Sequence, residues 1–378
     1  MKQSRRSFLQ DVLIASAISA NTVLAGEDTS RRSSETTTTG RKVGYKRIAT
    51  EEAWASPELL KTYLKMAAGK SIDDPGFIAL WSRLGSRKQL ISRLSDIGEG
   101  RIRDMDATGI DMQILSLTSP GVQVFDKATA NALAASSNDE VAEAVRKYPT
   151  RFAGLAAAAP QDPKAAAKEI ERGISKLGLK GVIINSHTRG EFLDDPKFWD
   201  IFEAAEALNV PIYLHPQTPP PAMIAPYVER GLESAILGFG AEAGLHALAI
   251  IRSGAFDRFP KLKIVLGHGG EALPFWLSRL DFMNRSARPN LRNGATKLNR
   301  TPSEYMKENI YVTTSGMAWS PVITFLQSVL GIERVLYAMD YPYQYELDEV
   351  TATDNVPISK SHKKMLFQTN AEKVFALK

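Results

Sequence analysis

The chain has 378 residues, 44% of them hydrophobic and 24% charged, an ordinary composition for a folded protein with enough length to bury a large core. It has no cysteine, which excludes disulfides, thiolate metal sites and cysteine nucleophiles and leaves the redox compartment open. The formal charge is +5, but residues 1–43 hold seven Lys or Arg against four Asp or Glu, and the nearly balanced remainder offers no footprint for nucleic acid or an anionic membrane.

At the N-terminus, Arg5 and Arg6 in SRRSFLQ resemble the twin-arginine motif of bacterial export signals. The apolar stretch Val12 to Ala25 follows, too short and too rich in Ala and Ser to span a bilayer, with small residues at Val23-Leu24-Ala25 for cleavage. Residues 1–25 therefore read as a signal peptide for the periplasm, with a cytoplasmic location as the alternative, and no membrane span is expected in the mature form. Residues 26–43 are rich in Ser, Thr and charge without apolar periodicity and read as a flexible linker.

From residue 44 to 378 short apolar runs alternate with longer amphipathic segments, the signature of βα units around a parallel sheet. Eight runs are evident: KRIATE (46–51), MQILSLT (112–118), FAGLAAA (152–158, weakened by its alanines), GVIINS (181–186), PIYLHP (211–216), KIVLGH (263–268), IYVTTS (310–315) and VLYAMD (335–340). Between them, Asp-Pro pairs open predicted helices over 162–176 and 197–208. Eight strands in this alternation predict a (β/α)8 TIM-type barrel. Segments 55–100 and 217–250 exceed simple connections and are predicted as helical insertions over the C-terminal face.

In such a barrel the C-terminal strand ends form the active face. The first run ends in Glu51 and Glu52, the fourth leads into His187, the fifth reaches His215, the sixth His268 and the eighth Asp340. The other two histidines lie elsewhere, His246 in a helical stretch and His362 in KSHKK. Acids and imidazoles converging on one buried mouth are best reconciled by a divalent cation, and mixed N and O donors suit Zn, Mn or Fe(II) better than Ca. Three protein ligands would leave coordination positions open, as in catalytic sites.

The segments RIATEEAW, RDMDATGID, LTSPGVQ, KYPTRFAG, APQDP, KGVIINSHT, YLHP, GHGGEALPFWLSRLD and YAMDYPYQ resemble the amidohydrolase superfamily, in its aromatic acid decarboxylase branch, from about Arg47 to the end of the chain. ATEEA, INSHT and AMDYPYQ are most similar to the 5-carboxyvanillate subgroup. The resemblance implies one divalent metal ion, Mn2+ first and Zn2+ as the alternative, held by Glu51, His215 and Asp340. It implies that His268 and Glu271 stand beside the substrate and that Arg279 contacts the substrate carboxylate, with Arg87 as a second substrate arginine and Arg83 its rival. His187 either touches substrate or makes a structural hydrogen bond. Glu52 alternates away from Glu51 and is expected to face a helix salt bridge. Trp54, Phe239, Trp319 and Tyr343 either line an aromatic pocket or pack. Members of this family commonly form homo-dimers or tetramers.

Where the wider superfamily has His-x-His this chain has Glu51 and Ala53, and the end of the fourth run offers no lysine for a bridging carbamate, which weakens a binuclear hydrolase. The implied activity is non-oxidative decarboxylation of a hydroxylated aromatic acid. An aryl carbanion is a poor leaving group, so the ring carbon must be protonated before CO2 departs. Asp340 is the expected proton donor, His268 on Glu271 the expected orienting group. The competing readings are a metal-dependent hydrolase of a lactone or amide and a non-catalytic barrel that binds an aromatic ligand.

Overall fold

The computed structural model describes residues 44–286 and 297–377. The leader and linker expected over residues 1–25 and 26–43 lie outside the described residues. No described helix is long and apolar enough to cross a membrane.

All paired strands are parallel and follow chain order. They are β1 (Ile48–Trp54), β2 (Met112–Leu117), β3 (Phe152–Gly154), β4 (Ala156–Ala157), β5 (Val182–Ile184), β6 (Pro211–Leu214), β7 (Lys263–Leu266), β8 (Ile310–Thr313) and β9 (Val335–Leu336). The predicted third run is thus two short strands around Leu155. β3 pairs with β2 and β4 with β5, and Leu155 N–H still donates to Leu115 O at 2.9 Å. One stave changing partner along its length accounts for nine strands in an eight-stave barrel. Thr50 N–H to Tyr337 O (3.0 Å) and Ala53 N–H to Tyr341 O (2.7 Å) join the first stave to the last and close the cylinder.

The strands end earlier than the apolar runs suggest. β6, β7 and β9 stop at Leu214, Leu266 and Leu336, so His215, His268 and Asp340 sit on backbone just beyond them. Two of these three, His268 (φ 48°) and Asp340 (φ 70°), are left-handed, a conformation that cannot continue a strand ladder. β1 carries a bulge: Ala49 pairs with Gln113 and Glu52 with Leu115, three residues of advance against two.

The predicted insertions are helical. Pro57–Gly69, Pro75–Leu84, Lys88–Ser95 and Glu99–Thr108 lie between β1 and β2, the first two capped by Ser56 and Asp74 side chains with proline in the first turn. Gly238–Ser253 lies between β6 and β7. It is fastened to the end of β5 by a buried chain. Leu193 N–H donates to His246 Nε2 (2.8 Å), so His246 Nδ1–H donates to Ser186 Oγ (2.9 Å), whose hydroxyl donates to Glu242 Oε1 (2.5 Å). Burial pushes the Glu242 carboxyl up to about 8 and the His246 imidazole down to about 3, consistent with two neutral groups at this joint.

Candidate active site

Glu51 is the centre of the barrel mouth. Its Oε2 accepts from the Tyr213 hydroxyl and from Thr313 Oγ1 (3.0 Å). Its Oε1 is buried and has no hydrogen-bond partner, although His215 Nε2 lies 3.3 Å away and His268 Nε2 3.4 Å away. Among the described residues, Glu51, His268 and Asp340 offer ligand atoms all within 4.8 Å of one another. The set expected from sequence had His215 in place of His268; the structure brings both imidazoles onto the same carboxylate oxygen.

The two rings differ in chemistry. His215 Nδ1 lies 2.7 Å from Pro216 O, so the neutral ring keeps its proton there and presents the Nε2 lone pair to Glu51. Burial lowers its proton affinity, against the pull of Glu51. Two lone pairs then face each other across 3.3 Å, an arrangement that a cation between them would relieve. For His268, burial also lowers proton affinity, but the carboxylates of Glu51, Glu271 and Asp340 outweigh it and hold the ring well above the ordinary imidazole range. Burial raises the Asp340 and Glu271 carboxyls, which His268 opposes. The orphaned Glu51 oxygen and the mixed N/O donor set fit one divalent ion with open positions.

Residues 268–272 form a left-handed turn, with φ of 48°, 68°, 79°, 51° and 62° in order. It folds His268 Nδ1 back onto Glu271 Oε1 at 2.7 Å. The neighbouring helix Gly238–Ser253 packs closely against this turn through two glycines one turn apart: a Cβ on Gly240 would lie 3.0 Å from Glu271 Oε2, and one on Gly244 3.0 Å from Glu271 O.

Two cavities, of about 550 and 250 Å³, share Ala235, Phe239, His268, Asp340 and Gln344 in their linings. The smaller adds His215, Tyr343, Arg83 and Arg87; the larger adds Glu271 and Trp276. Arg83 is held by Glu233 in an ion pair at 2.8 Å, whereas no ion pair holds Arg87 among the described residues. Arg279 is exposed on the helix Leu273–Ser286 and lines neither cavity. His187 is engaged with the backbone at both nitrogens, accepting from Gly190 N–H (3.1 Å) and facing Thr218 O (3.0 Å), which leaves none for a substrate.

Residues 91–377 match the family model described as amidohydrolase. The chain belongs to the amidohydrolase family. A solved 5-carboxyvanillate decarboxylase from Novosphingobium aromaticivorans, in complex with manganese and 4-hydroxy-3-methoxy-5-nitrobenzoic acid, is 50% identical with a TM-score of 0.87, covering 89% of this chain and 97% of that one. A manganese-bound dihydroxybenzoic acid decarboxylase from a Polaromonas species is 35% identical with a TM-score of 0.76, covering 88% and 97%. A gamma-resorcylate decarboxylase of Polaromonas is 36% identical over 341 residues, 88% of this chain and 98% of the relative.

Several residues of this amidohydrolase site escape a reading of strand ends. Tyr213 lies two residues before His215 in the apolar run PIYLHP, a spacing that puts alternate side chains of an extended chain on one face and was the available signal. Thr313 and Gln344 gave none, since a lone threonine and an exposed glutamine are uninformative without neighbours. Glu52 makes no ion pair among the described residues, contrary to the salt bridge expected. The bulge in β1 turns it inward, and it is fully buried. Of the four aromatics considered, Phe239 and Tyr343 line the cavities, Trp54 packs in the core, and Trp319 is exposed.

Proposed function

We propose that this amidohydrolase is a metal-dependent, non-oxidative decarboxylase of a hydroxylated aromatic acid such as 5-carboxyvanillate. The observation that carries it is the bare Glu51 Oε1 beneath two imidazole nitrogens and beside Asp340, where His215, His268 and Asp340 line a cavity that Arg87 also lines. Glu51, Asp340 and the lone-pair-bearing His215 would hold one Mn2+. When bound, the ion would neutralise the substrate carboxylate and its neighbouring phenolate oxygen. Asp340, which lines the cavity beside His268, delivers a proton to the ring carbon that bears the carboxylate. The C–C bond then breaks, CO2 leaves, and its electron pair restores the aromatic ring. His268, carrying its proton on Nδ1 toward Glu271, orients the ring oxygen. Arg87 pairs with the substrate carboxylate.

Arg279 is exposed and lines neither of the two cavities. We assign its substrate contact to a homo-oligomer that covers the exposed apolar side chains of its helix. Export through the twin-arginine signal, with cleavage near Ala25 ahead of the linker, rests on Arg5-Arg6 and the apolar run after them. Recovery of the tagged protein wholly in the cytoplasmic fraction would refute it.

The test of the main reading is CO2 release from 5-carboxyvanillate and related ortho-hydroxybenzoic acids by the purified, Mn2+-loaded protein, lost on chelation and regained with Mn2+. Turnover of lactones or amides without CO2 release would favour the hydrolase. A fully metal-loaded protein inert toward both would favour a binding scaffold.

A further inference from the structure

The mechanism above leaves one buried carboxyl unused. Glu52 has no solvent exposure, yet it belongs neither to the metal group nor to an ion pair. Its Oε1 accepts from Met339 N–H at 3.0 Å, and its Oε2 accepts from Tyr341 N–H at 3.2 Å and from Gln113 Nε2 at 3.4 Å. Met339 and Tyr341 are the two residues that flank Asp340. Asp340 itself is left-handed, at φ 70°, where a side chain with a Cβ is strained.

We propose that Glu52 is a positioning residue for Asp340: its carboxylate grips the backbone on both sides and holds the left-handed turn that aims Asp340 into the metal group. Both oxygens are occupied by N–H donors, so Glu52 is not a further metal ligand. Burial raises the Glu52 carboxyl, and the Met339 N–H and the Arg101 guanidinium oppose that. Arg101, also fully buried, donates through Nη1 to Gln113 Oε1 (3.3 Å) and stacks its guanidinium 4.6 Å over the Tyr341 ring. Arg101 is anchored in turn by Asp96 O (2.7 Å) and Ala53 O (2.7 Å). The bulge in β1 permits this: with the extra residue, one glutamate serves the metal group while its neighbour serves the adjoining last stave.

The inference rests on the reading that Asp340 works in the metal group. Glu52→Gln is the variant to test, because an amide accepts on only one atom and turns an NH2 toward one of the two backbone donors. Displacing a group that orients a ligand costs about 10- to 100-fold in metal affinity. Mn2+ titration followed by electron paramagnetic resonance is expected to show a loss of that size. A second readout is the melting temperature of the metal-free protein, measured for Glu52→Gln in the parent and in an Asp340→Gly background. Glycine adopts φ 70° without the Cβ penalty, so the drop caused by Glu52→Gln is expected to shrink by half or more. Parental Mn2+ affinity, or equal drops in the two backgrounds, overturns the proposal. If Glu52→Gln alone is insoluble, Asp340→Gly is expected to restore soluble protein, and failure to do so overturns it as well. A parent that binds Mn2+ but releases no CO2 would defeat the decarboxylase reading and leave this one standing.

Discussion

At the level of single residues, the site works by giving chemically similar groups different neighbours. Arg83 and Arg87 line the same cavity, but Arg83 is tied to the buried Glu233. A charge-assisted hydrogen bond is worth about 1.5–3 kcal/mol, so Arg87→Ala is expected to raise KM for the acid by roughly 10- to 100-fold with a smaller change in kcat. Arg83→Ala should instead lower the melting temperature, because it strands a buried carboxylate. Equal KM effects in steady-state kinetics would refute the distinction. The histidines divide likewise. Burial pushes His187 down to about 4, below its unfolded value of about 6.5. A depressed imidazole means that the unfolded chain binds the extra proton first, so the stability His187 contributes is present at neutral pH and lost as pH falls from about 6.5 toward 4. The stability advantage of the parent over His187→Asn should therefore shrink by about 1.4 kcal/mol per pH unit across that window. Denaturant unfolding at several pH values checks this; a gap independent of pH would contradict it.

The elements do what no single residue could. A barrel strand offers alternate positions to the mouth, yet β1 must place Glu51 and Glu52 in adjacent roles, and the bulge accomplishes it. The left-handed turn over 268–272 similarly compresses His268 and Glu271 into a hydrogen-bonded pair three residues apart. Three of its five residues are not glycine, so it holds strain of about 1–2 kcal/mol at each, kept by the packing around it. Gly270→Ala adds a further left-handed penalty and a Cβ 2.8 Å from Val312 Cγ1, whereas a Cβ on Gly269 would sit 3.6 Å from its nearest neighbour. Gly270→Ala should lower the melting temperature by several degrees more than Gly269→Ala and reduce kcat, since it moves the His268–Glu271 pair. Scanning calorimetry and initial rates decide this; matching melting temperatures would show that the turn has room to yield.

At the scale of the whole molecule, the helix Leu273–Ser286 exposes Phe275 (72%), Trp276 (47%), Phe282 (59%) and Met283 (53%), and Phe325 lies against Phe275 with ring centroids 6.4 Å apart. So much clustered aromatic surface is costly to leave in water and favours association with a second copy. Light scattering at micromolar concentration is expected to give an oligomer, and Phe282→Asp together with Phe275→Asp to yield single chains with raised KM. A parent that runs as a monomer would refute both the interface and the role assigned to Arg279.

Periodicity and strand-end chemistry made the barrel and the acids and imidazoles at its mouth legible from sequence. Apolar runs must alternate with amphipathic helices to bury a parallel sheet, and a side chain at the end of such a run has nowhere to go but the mouth. Glu51, His215, His268 and Asp340 could be named on that ground. What those residues do to one another is a matter of distances between segments far apart in the chain. Tertiary packing alone put two imidazoles on one oxygen of Glu51, tied both nitrogens of His187 to the backbone, set Arg83 against Glu233 and left Arg279 on the surface. It also turned Glu52 from the expected partner of a helix salt bridge into a buried acceptor around Asp340. Local pattern records which groups reach the mouth, because burial acts on each residue separately. Protonation, pairing and strain depend on neighbours, and neighbours exist only once the cylinder has closed.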